Sequence, residues 1–221
     1  PVPTERDEFF GREREITVLE SLLTGGEQRL VTLTGPGGAG KTRLAVRVAR
    51  GIAPSFPDGV VFVDLTTTED PADVIPFIGS SAGLRDRLLD DADDAETLAA
   101  QLDERDILLV IDNFEHVMDA ARTLGEVIAR TRRVVMLVTS REPLRLAGER
   151  AISVAPLELP SSDSPDAVLE SPAVRLLLAR ARAYGVTIET DPESLESLRV
   201  ISSRLDGLSL AIEFAVPLLR L

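Results

Sequence analysis

The stretch Gly35–Thr42, GPGGAGKT, decides how this chain is read. It follows the strand-like run VTLT (31–34) and opens TRLAVRVAR (42–50), whose apolar residues recur at helical spacing. A strand, a turn matching G-x-x-x-x-G-K-[ST] and a helix, in that order, form a phosphate cradle. The glycines let the backbone curl so that successive N–H groups face one point, with no side chain in the path of phosphate oxygens. The helix behind them aims its positive N-terminus at the same point. Lys41, the only lysine of the chain, adds a full charge near the β- and γ-phosphates, and Thr42 offers a hydroxyl to Mg²⁺. A compact ammonium fits such a loop where a planar guanidinium would not. Gly35, Pro36, Gly37, Gly38, Ala39, Gly40, Lys41, Thr42 and Arg43 are therefore expected to line a bound ATP or ADP.

Outward from this loop, five short apolar runs read as buried parallel strands: Arg29–Thr34, Val60–Leu65, Ile107–Asp112, Arg133–Thr139 and Ala151–Val154. Helical patterns lie between most of them, at Lys41–Gly51, Pro71–Ala82, Ala95–Glu104 and Glu115–Arg130, and one more, Glu13–Leu23, precedes the first. Strands alternating with helices predict an α/β fold, a P-loop NTPase with a five-stranded parallel sheet flanked by helices. After a Pro/Ser-rich connector, Pro156–Pro165, only helices are expected. Ser171-Pro172 opens Ala173–Tyr184, Asp191-Pro192 opens Glu193–Leu205, and Asp206-Gly207 stops the latter before Leu208–Leu219. The expected division is a nucleotide-binding domain over 1–156 and a small helical domain over 157–221.

Composition narrows the function classes. The 221 residues carry a net charge of −13, which repels a nucleic-acid backbone. Part of the acid is local, in RDRLLDDADDAE (85–96), read as a solvated loop or frayed helix end. There is no cysteine, so disulfides and thiolate metal sites are excluded. No apolar run approaches a membrane span, and PVPTERDEFF lacks the features of a signal peptide, which fits a cytoplasmic location. A start without Met suggests an excised fragment.

Two further places suggest chemistry. Asp112 ends the run ILLVI, at the strand edge where open parallel sheets place their ligand crevice, and is the expected Mg²⁺ carboxylate beside Thr42. Hydrolysis also needs a group that orients water. The next position holds Asn113, which cannot act as a base; Glu115 is the nearest carboxylate, and it is either a water-positioning group or a surface residue at a helix start. His116, the only histidine, reads as a partly buried hydrogen-bonding residue. Thr139-Ser140-Arg141 ends the fourth run at the same edge, where Arg141 is a candidate sensor of the γ-phosphate or a plain surface arginine.

Together FFGRERE (9–15), TGPGGAGKT (34–42), LLVIDNFEHV (108–117), VTSRE (138–142) and LDGLSLAIE (205–213) resemble the NB-ARC-type STAND ATPases, an AAA+-like family, in the variant found in large actinobacterial regulators of the SARP and LuxR kinds. The resemblance implies that the Phe10-Gly11-Arg12 segment lies against the adenine and that Arg141 is the sensor arginine. It implies that Gly207–Ala211 stands for the family's G-L-P-L-A motif, with Ser209 in place of the proline and Leu210 beside the base. It also implies an ADP-closed, ATP-opened switch that self-associates on activation. A winged-helix domain would follow Leu221, and DNA and RNA polymerase would be met only through domains absent from this chain. A Ras-like GTPase would need an N-K-x-D base reader, impossible with one lysine in the loop, and an ABC transporter ATPase an L-S-G-G-Q signature, which is missing. Two functions stay open: a slow ATP-hydrolysing switch, and a nucleotide-binding module without significant turnover. Because Lys41 is the sole lysine, amine-acylating reagents can modify only it and the chain terminus. Saturating ATP or ADP is expected to protect Lys41, as peptide mass mapping would show, and unchanged labelling would exclude the loop as the site.

Overall fold

A computed structural model describes residues 2–3, 8–84 and 94–220, the last with side chains up to 218. Of RDRLLDDADDAE, the positions before Asp94 lie outside the described residues. Five strands, β1 (Leu30–Thr34), β2 (Val60–Asp64), β3 (Leu108–Asp112), β4 (Val135–Thr139) and β5 (Glu149–Ser153), form one sheet in the order β2-β3-β4-β1-β5. All four neighbouring pairs are parallel. β1, β3 and β4 are buried along their whole length, which is why they read as unbroken apolar runs. β5 lies at an edge, is largely exposed, and begins two residues earlier than its apolar pattern suggested. Parallel pairing with β1 extends back to Glu149, since backbone bonds are indifferent to side-chain polarity.

The helices of this first unit are α1 (Glu13–Thr24), α2 (Lys41–Ile52), α3 (Val74–Ser81), α4 (Asp94–Leu102) and α5 (Ala121–Arg130). One face of the sheet, with Leu109, Ile111, Met136 and Val138, shares a core with Val74, Ile78, Leu98, Leu102, Leu124 and Val127 of α3, α4 and α5. Side chains alternate along a strand, so Leu108, Val110 and Leu137 face the other side, and α2 contacts β1, β3 and β4. The C-terminal end of α5 is capped from the sheet: Arg29 Nη1 donates to Ile128 O at 2.9 Å and also to Thr131 O.

The helix expected over Glu115–Arg130 is shorter than its periodicity implied. Two 3₁₀ turns, Phe114–His116 and Met118–Ala120, precede α5. Asn113 is left-handed at φ 62° and Val117 lies at φ −130°, outside helical geometry, while Phe114 and Val117 are both fully buried. Burial of these two apolar side chains against the core outweighs continuous helical bonding. Similarly, Pro71–Asp73 is a 3₁₀ turn before α3, with Asp70 accepting from the amide of Ala72.

Residues cluster by contact into two units: Arg14–Gly35 with Lys41–Ser153, and residues 8–13, Pro36–Gly40 and the chain from Val154 onward. The second unit contains α6 (Pro165–Glu170), α7 (Pro172–Ala183), α8 (Pro192–Arg204) and α9 (Ser209–Ala215), the last running into a 3₁₀ turn, Val216–Arg220. Helix α6 begins at the last residue of the connector and fills 165–170, a stretch for which sequence named no helix; Ser164 caps it by accepting from the Ala167 amide. Asp191 caps α8 through the amides of Glu193 and Ser194, as its position predicted. Ser171 makes no such cap; its hydroxyl donates to Glu158 O at 2.8 Å, tying the connector to α7. The core of this unit comprises Leu157, Val168, Val174, Leu177, Leu195, Leu198 and Ile212. Arg180 of α7 meets Glu213 of α9 at 2.7 Å, with both side chains largely shielded from solvent.

Gly207 fastens this unit. Its φ is +64°, its carbonyl accepts from the Leu157 amide at 2.9 Å, and a Cβ there would lie 2.2 Å from Leu157 O. Gly207→Ala is therefore expected to cost about 3 kcal/mol or more. Gly26→Ala, at φ +80° but with nothing within 4 Å, should cost only about 1–2 kcal/mol. Urea unfolding of both variants, followed by circular dichroism, checks the difference; equal losses would mean that the Leu157 contact does not matter.

Candidate functional site

The phosphate loop leaves β1 through Gly35, at φ 143°, and Gly38 and Gly40 take φ values of 78° and 91° that a side chain would resist. Its carbonyls are engaged. Gly35 O accepts from Lys41 Nζ at 2.8 Å and Pro36 O from the Ala39 amide at 3.3 Å. Gly38 O accepts from the Leu210 amide at 3.2 Å, and Ala39 O from Arg12 Nη2 at 2.9 Å. A trans peptide holds the carbonyl of one residue opposite the N–H of the next. Fixing the Ala39 carbonyl on Arg12 thus turns the Gly40 N–H to the opposite side, and the same planarity applies along the curl. With carbonyls so engaged, the amides of the loop are left to serve an anion.

The residues holding this curl include several singled out from sequence. Gly11 and Arg12 are consecutive left-handed residues, at φ 67° and 70°. A Cβ on Gly11 would sit 3.2 Å from Pro172, whereas Arg12 uses its turn to send Nη2 to both Ala39 O and Ala155 O. The Phe10 ring packs against the helical core, with the Arg175 guanidinium 5.1 Å from its centroid. Ser209 is buried, its hydroxyl 3.5 Å from where a Gly40 Cβ would lie. Leu210 rests on Gly38, where a Cβ would stand 3.0 Å from its own, yet it remains half exposed. Arg43 lies on α2 beyond Thr42 and is partly buried.

Within the first unit, Lys41, Thr42, Asp112, Glu115 and Arg141 form a connected group. Asp112 is 4% exposed. Its Oδ1 accepts from Thr42 Oγ1 at 2.8 Å and from Thr139 Oγ1 at 2.5 Å. Burial raises its pKa, the two hydroxyls draw it back down, and the nearby carboxylates of Asp64 and Glu115 raise it further. Lys41 is shifted down, mainly by burial, with Glu115 and Asp112 favouring its charge and Arg141 opposing it. Glu115 Oε1 lies 3.3 Å from Arg141 Nε; the glutamate side chain is 15% exposed and the arginine 65%. Glu115 Oε2 is buried and has no hydrogen-bond partner. His116, by contrast, is exposed rather than partly buried, because the 3₁₀ turn directs Phe114 into the core instead.

Thr139 is the residue whose role the sequence did not disclose. Besides donating to Asp112, it accepts from the Asn113 amide at 3.1 Å. Asn113 in turn donates Nδ2 to Thr66 Oγ1 at 2.6 Å, and the Thr66 hydroxyl donates to Asp64. The only available signal was a Thr at the same strand edge as Asp112. Its importance depends on β3 and β4 being neighbours, which a linear reading does not reveal. The chemistry of Thr42 and Asp112, one hydroxyl and one carboxylate brought together, is a donor set that would suit Mg²⁺. Among the described residues no three acidic or histidine side chains converge into an all-protein metal cage.

Comparisons with known proteins bear on the family and the fold. The chain is 34% identical to an uncharacterized protein of Mycobacterium tuberculosis over 208 residues, 94% of this chain and 49% of that protein. It is 34% identical to a protein of the same organism named as an HTH-type transcriptional regulator, over 88% of this chain and 20% of the relative. It is 30% identical to the regulatory protein AfsR of Streptomyces coelicolor over 69% of this chain and 16% of AfsR. The chain thus spans about half the length of the first of these relatives and less of the others. In fold it is similar to a STAND protein with a tetratricopeptide repeat sensor from Pyrococcus horikoshii, with TM-score 0.60 and 20% identity over 96% of this chain and 30% of that one. It is also similar to Cdc6p from Pyrobaculum aerophilum, with TM-score 0.61 and 19% identity over 96% and 61%. No helix among the described residues is long and apolar enough to cross a membrane. Residues 8–144 match the AAA ATPase domain family, and the chain belongs to that family.

Proposed function

We propose that this chain is a nucleotide-switch ATPase domain of a longer cytoplasmic transcriptional regulator. In this reading it binds ATP and ADP with Mg²⁺ and hydrolyses ATP slowly. The difference between the two nucleotides then controls the regulator's self-association and activity. Residues 1–156 act as the nucleotide-binding domain and 157–221 as an ARC1-like helical domain leading into a winged helix. The carrying observation is that Thr42 and Thr139 both donate to the buried Asp112 carboxylate, beside a Lys41 that reaches back to the loop carbonyl of Gly35. Relatives named as regulators support the biological setting.

The residues divide the work. Loop amides and Lys41 bind the β- and γ-phosphates, with Lys41 leaving the Gly35 carbonyl for a phosphate oxygen. The Thr42 hydroxyl and Asp112 carboxylate would hold a Mg²⁺, which would supply positive charge beside the phosphates. Thr139 keeps Asp112 oriented. Glu115 positions the attacking water, and Arg141 meets the γ-phosphate. Phe10, Gly11, Arg12, Ser209 and Leu210 form the base side. The second reading, a nucleotide-binding module with no significant turnover, is favoured by Asn113 standing directly after Asp112 and by the engagement of Glu115 with Arg141. Single-turnover phosphate release with Mg²⁺ separates the two. Release that is lost in Glu115→Ala supports hydrolysis, and none in the unmodified chain supports the module. Denaturing the purified protein and finding ADP or ATP in the supernatant supports either, whereas GDP would overturn both.

Two substitutions test the phosphate side. Lys41→Ala should weaken ADP binding roughly 10- to 100-fold, the loss of a charge-assisted contact, as measured by calorimetry. Asp112→Asn should have opposite effects on activity and stability. A buried acid whose pKa is raised on folding lowers stability progressively as pH rises from the ordinary carboxylate value through the raised one, and the penalty is complete above it. At neutral pH the neutral isostere is therefore expected to raise Tm by about 2–4 °C while abolishing Mg²⁺-dependent hydrolysis. The Tm gain should vanish in acid, below the ordinary carboxylate pKa; a gain independent of pH would refute the electrostatic cause.

A further inference from the structure

Glu115 is a mostly buried carboxylate with a loosely held counter-ion. Its Oε2 is buried and takes no hydrogen bond, and Oε1 meets Arg141 through Nε at 3.3 Å, not through the two-pronged face of the guanidinium. The arginine side chain is 65% exposed, whereas the glutamate is 15% exposed. Glu115 and Arg141 follow Asp112 and Thr139 by three and two residues, and Thr139 hydrogen-bonds both Asp112 and the Asn113 amide, so the ion pair lies on the segments beside Asp112, where the functional reading puts the γ-phosphate. Two anions would then compete for one movable cation. ADP brings no charge to that end and leaves the pair intact. ATP brings a γ-phosphate whose three oxygens match a guanidinium better than a single carboxylate oxygen does.

On the functional reading above, we propose that Glu115 sets the ATP-over-ADP preference of this site by competing with the γ-phosphate for Arg141. Its carboxylate becomes available to orient water only once that exchange has occurred. The pair thereby ties the water-positioning group to the presence of the bond to be cleaved. While Arg141 rests on Glu115, the carboxylate oxygen that could accept from water is occupied. When Arg141 moves to the γ-phosphate, both oxygens of Glu115 lack a donor, and a water beside the phosphate supplies one. A ligand shifts such an equilibrium only by its differential affinity for the two arrangements, and this exchange provides that difference from two side chains of one unit. It also explains how a chain with Asn113 after Asp112 could retain turnover from a glutamate two residues further on.

The test is a double-mutant cycle on the full chain, with ADP and the slowly hydrolysed analogue ATPγS titrated by calorimetry in the presence of Mg²⁺. In the unmodified chain, Glu115→Gln is expected to raise the ATPγS-to-ADP affinity ratio about fivefold, the scale of a partly exposed ion pair. Arg141→Ala should lower that ratio, and adding Glu115→Gln to Arg141→Ala should leave it unchanged. An equal rise in both backgrounds would show simple repulsion between Glu115 and the phosphate, and no rise in either would show that Glu115 does not compete; each result overturns the inference. Should Glu115→Gln fail to fold, Glu115→Asp shortens the carboxylate away from Arg141 and must move the ratio in the same direction. Binding of neither nucleotide to the unmodified chain would instead refute the functional reading itself.

Discussion

A carboxylate buried at the end of a central strand is tolerated only if hydrogen bonds replace the water it has lost, and Asp112 takes both of its bonds from hydroxyls. One comes from the first turn of α2 and the other from the end of β4, so the side chain joins a helix to two strands that the sheet order has already made neighbours. The unfavourable burial, visible in its raised pKa, is the state in which a cation would be welcome. The carboxylate on which the hydroxyls of α2 and β4 meet is thus also the one whose burial a bound cation would relieve.

The phosphate loop follows a related logic. Its glycines permit the curl, but permission is not preorganisation. That comes from the donors that engage its carbonyls: the Lys41 ammonium, the Leu210 amide and the Arg12 guanidinium. Arg12 is notable in adopting a left-handed backbone without being glycine, a strain of about 1 kcal/mol offset by two charge-assisted bonds to carbonyls.

The sheet was legible because its central strands are buried on both faces and therefore apolar without interruption, and the loop because a phosphate imposes glycines, a lysine and a threonine at fixed spacing. Asp112 stood out for a similar reason, as a charge ending an apolar run. What lay beyond reading required neighbours that are remote in sequence. Thr139 matters through β3–β4 adjacency, Thr66 through the reach of Asn113, and Arg12 through a carbonyl 27 residues away. The 3₁₀ turns at 114–120 misled for another reason. Buried Phe114 and Val117 mimic a helical repeat, but the left-handed Asn113 before them sets a tighter path.

The clustering of Pro36–Gly40 with the helices, while Gly35 and Lys41 belong to the sheet, has a consequence for how such a chain can diversify. The second unit takes in residues 8–13, Pro36–Gly40 and the chain from Val154 onward, and the loop residues within it are hydrogen-bonded by Arg12 and by the Leu210 amide. Exchanging the helices for foreign ones as a single block would remove the Leu210 amide that holds a loop carbonyl. The loop, the segment before α1 and the helices must be inherited together, so recombination should be tolerated beyond the helices far more readily than within them.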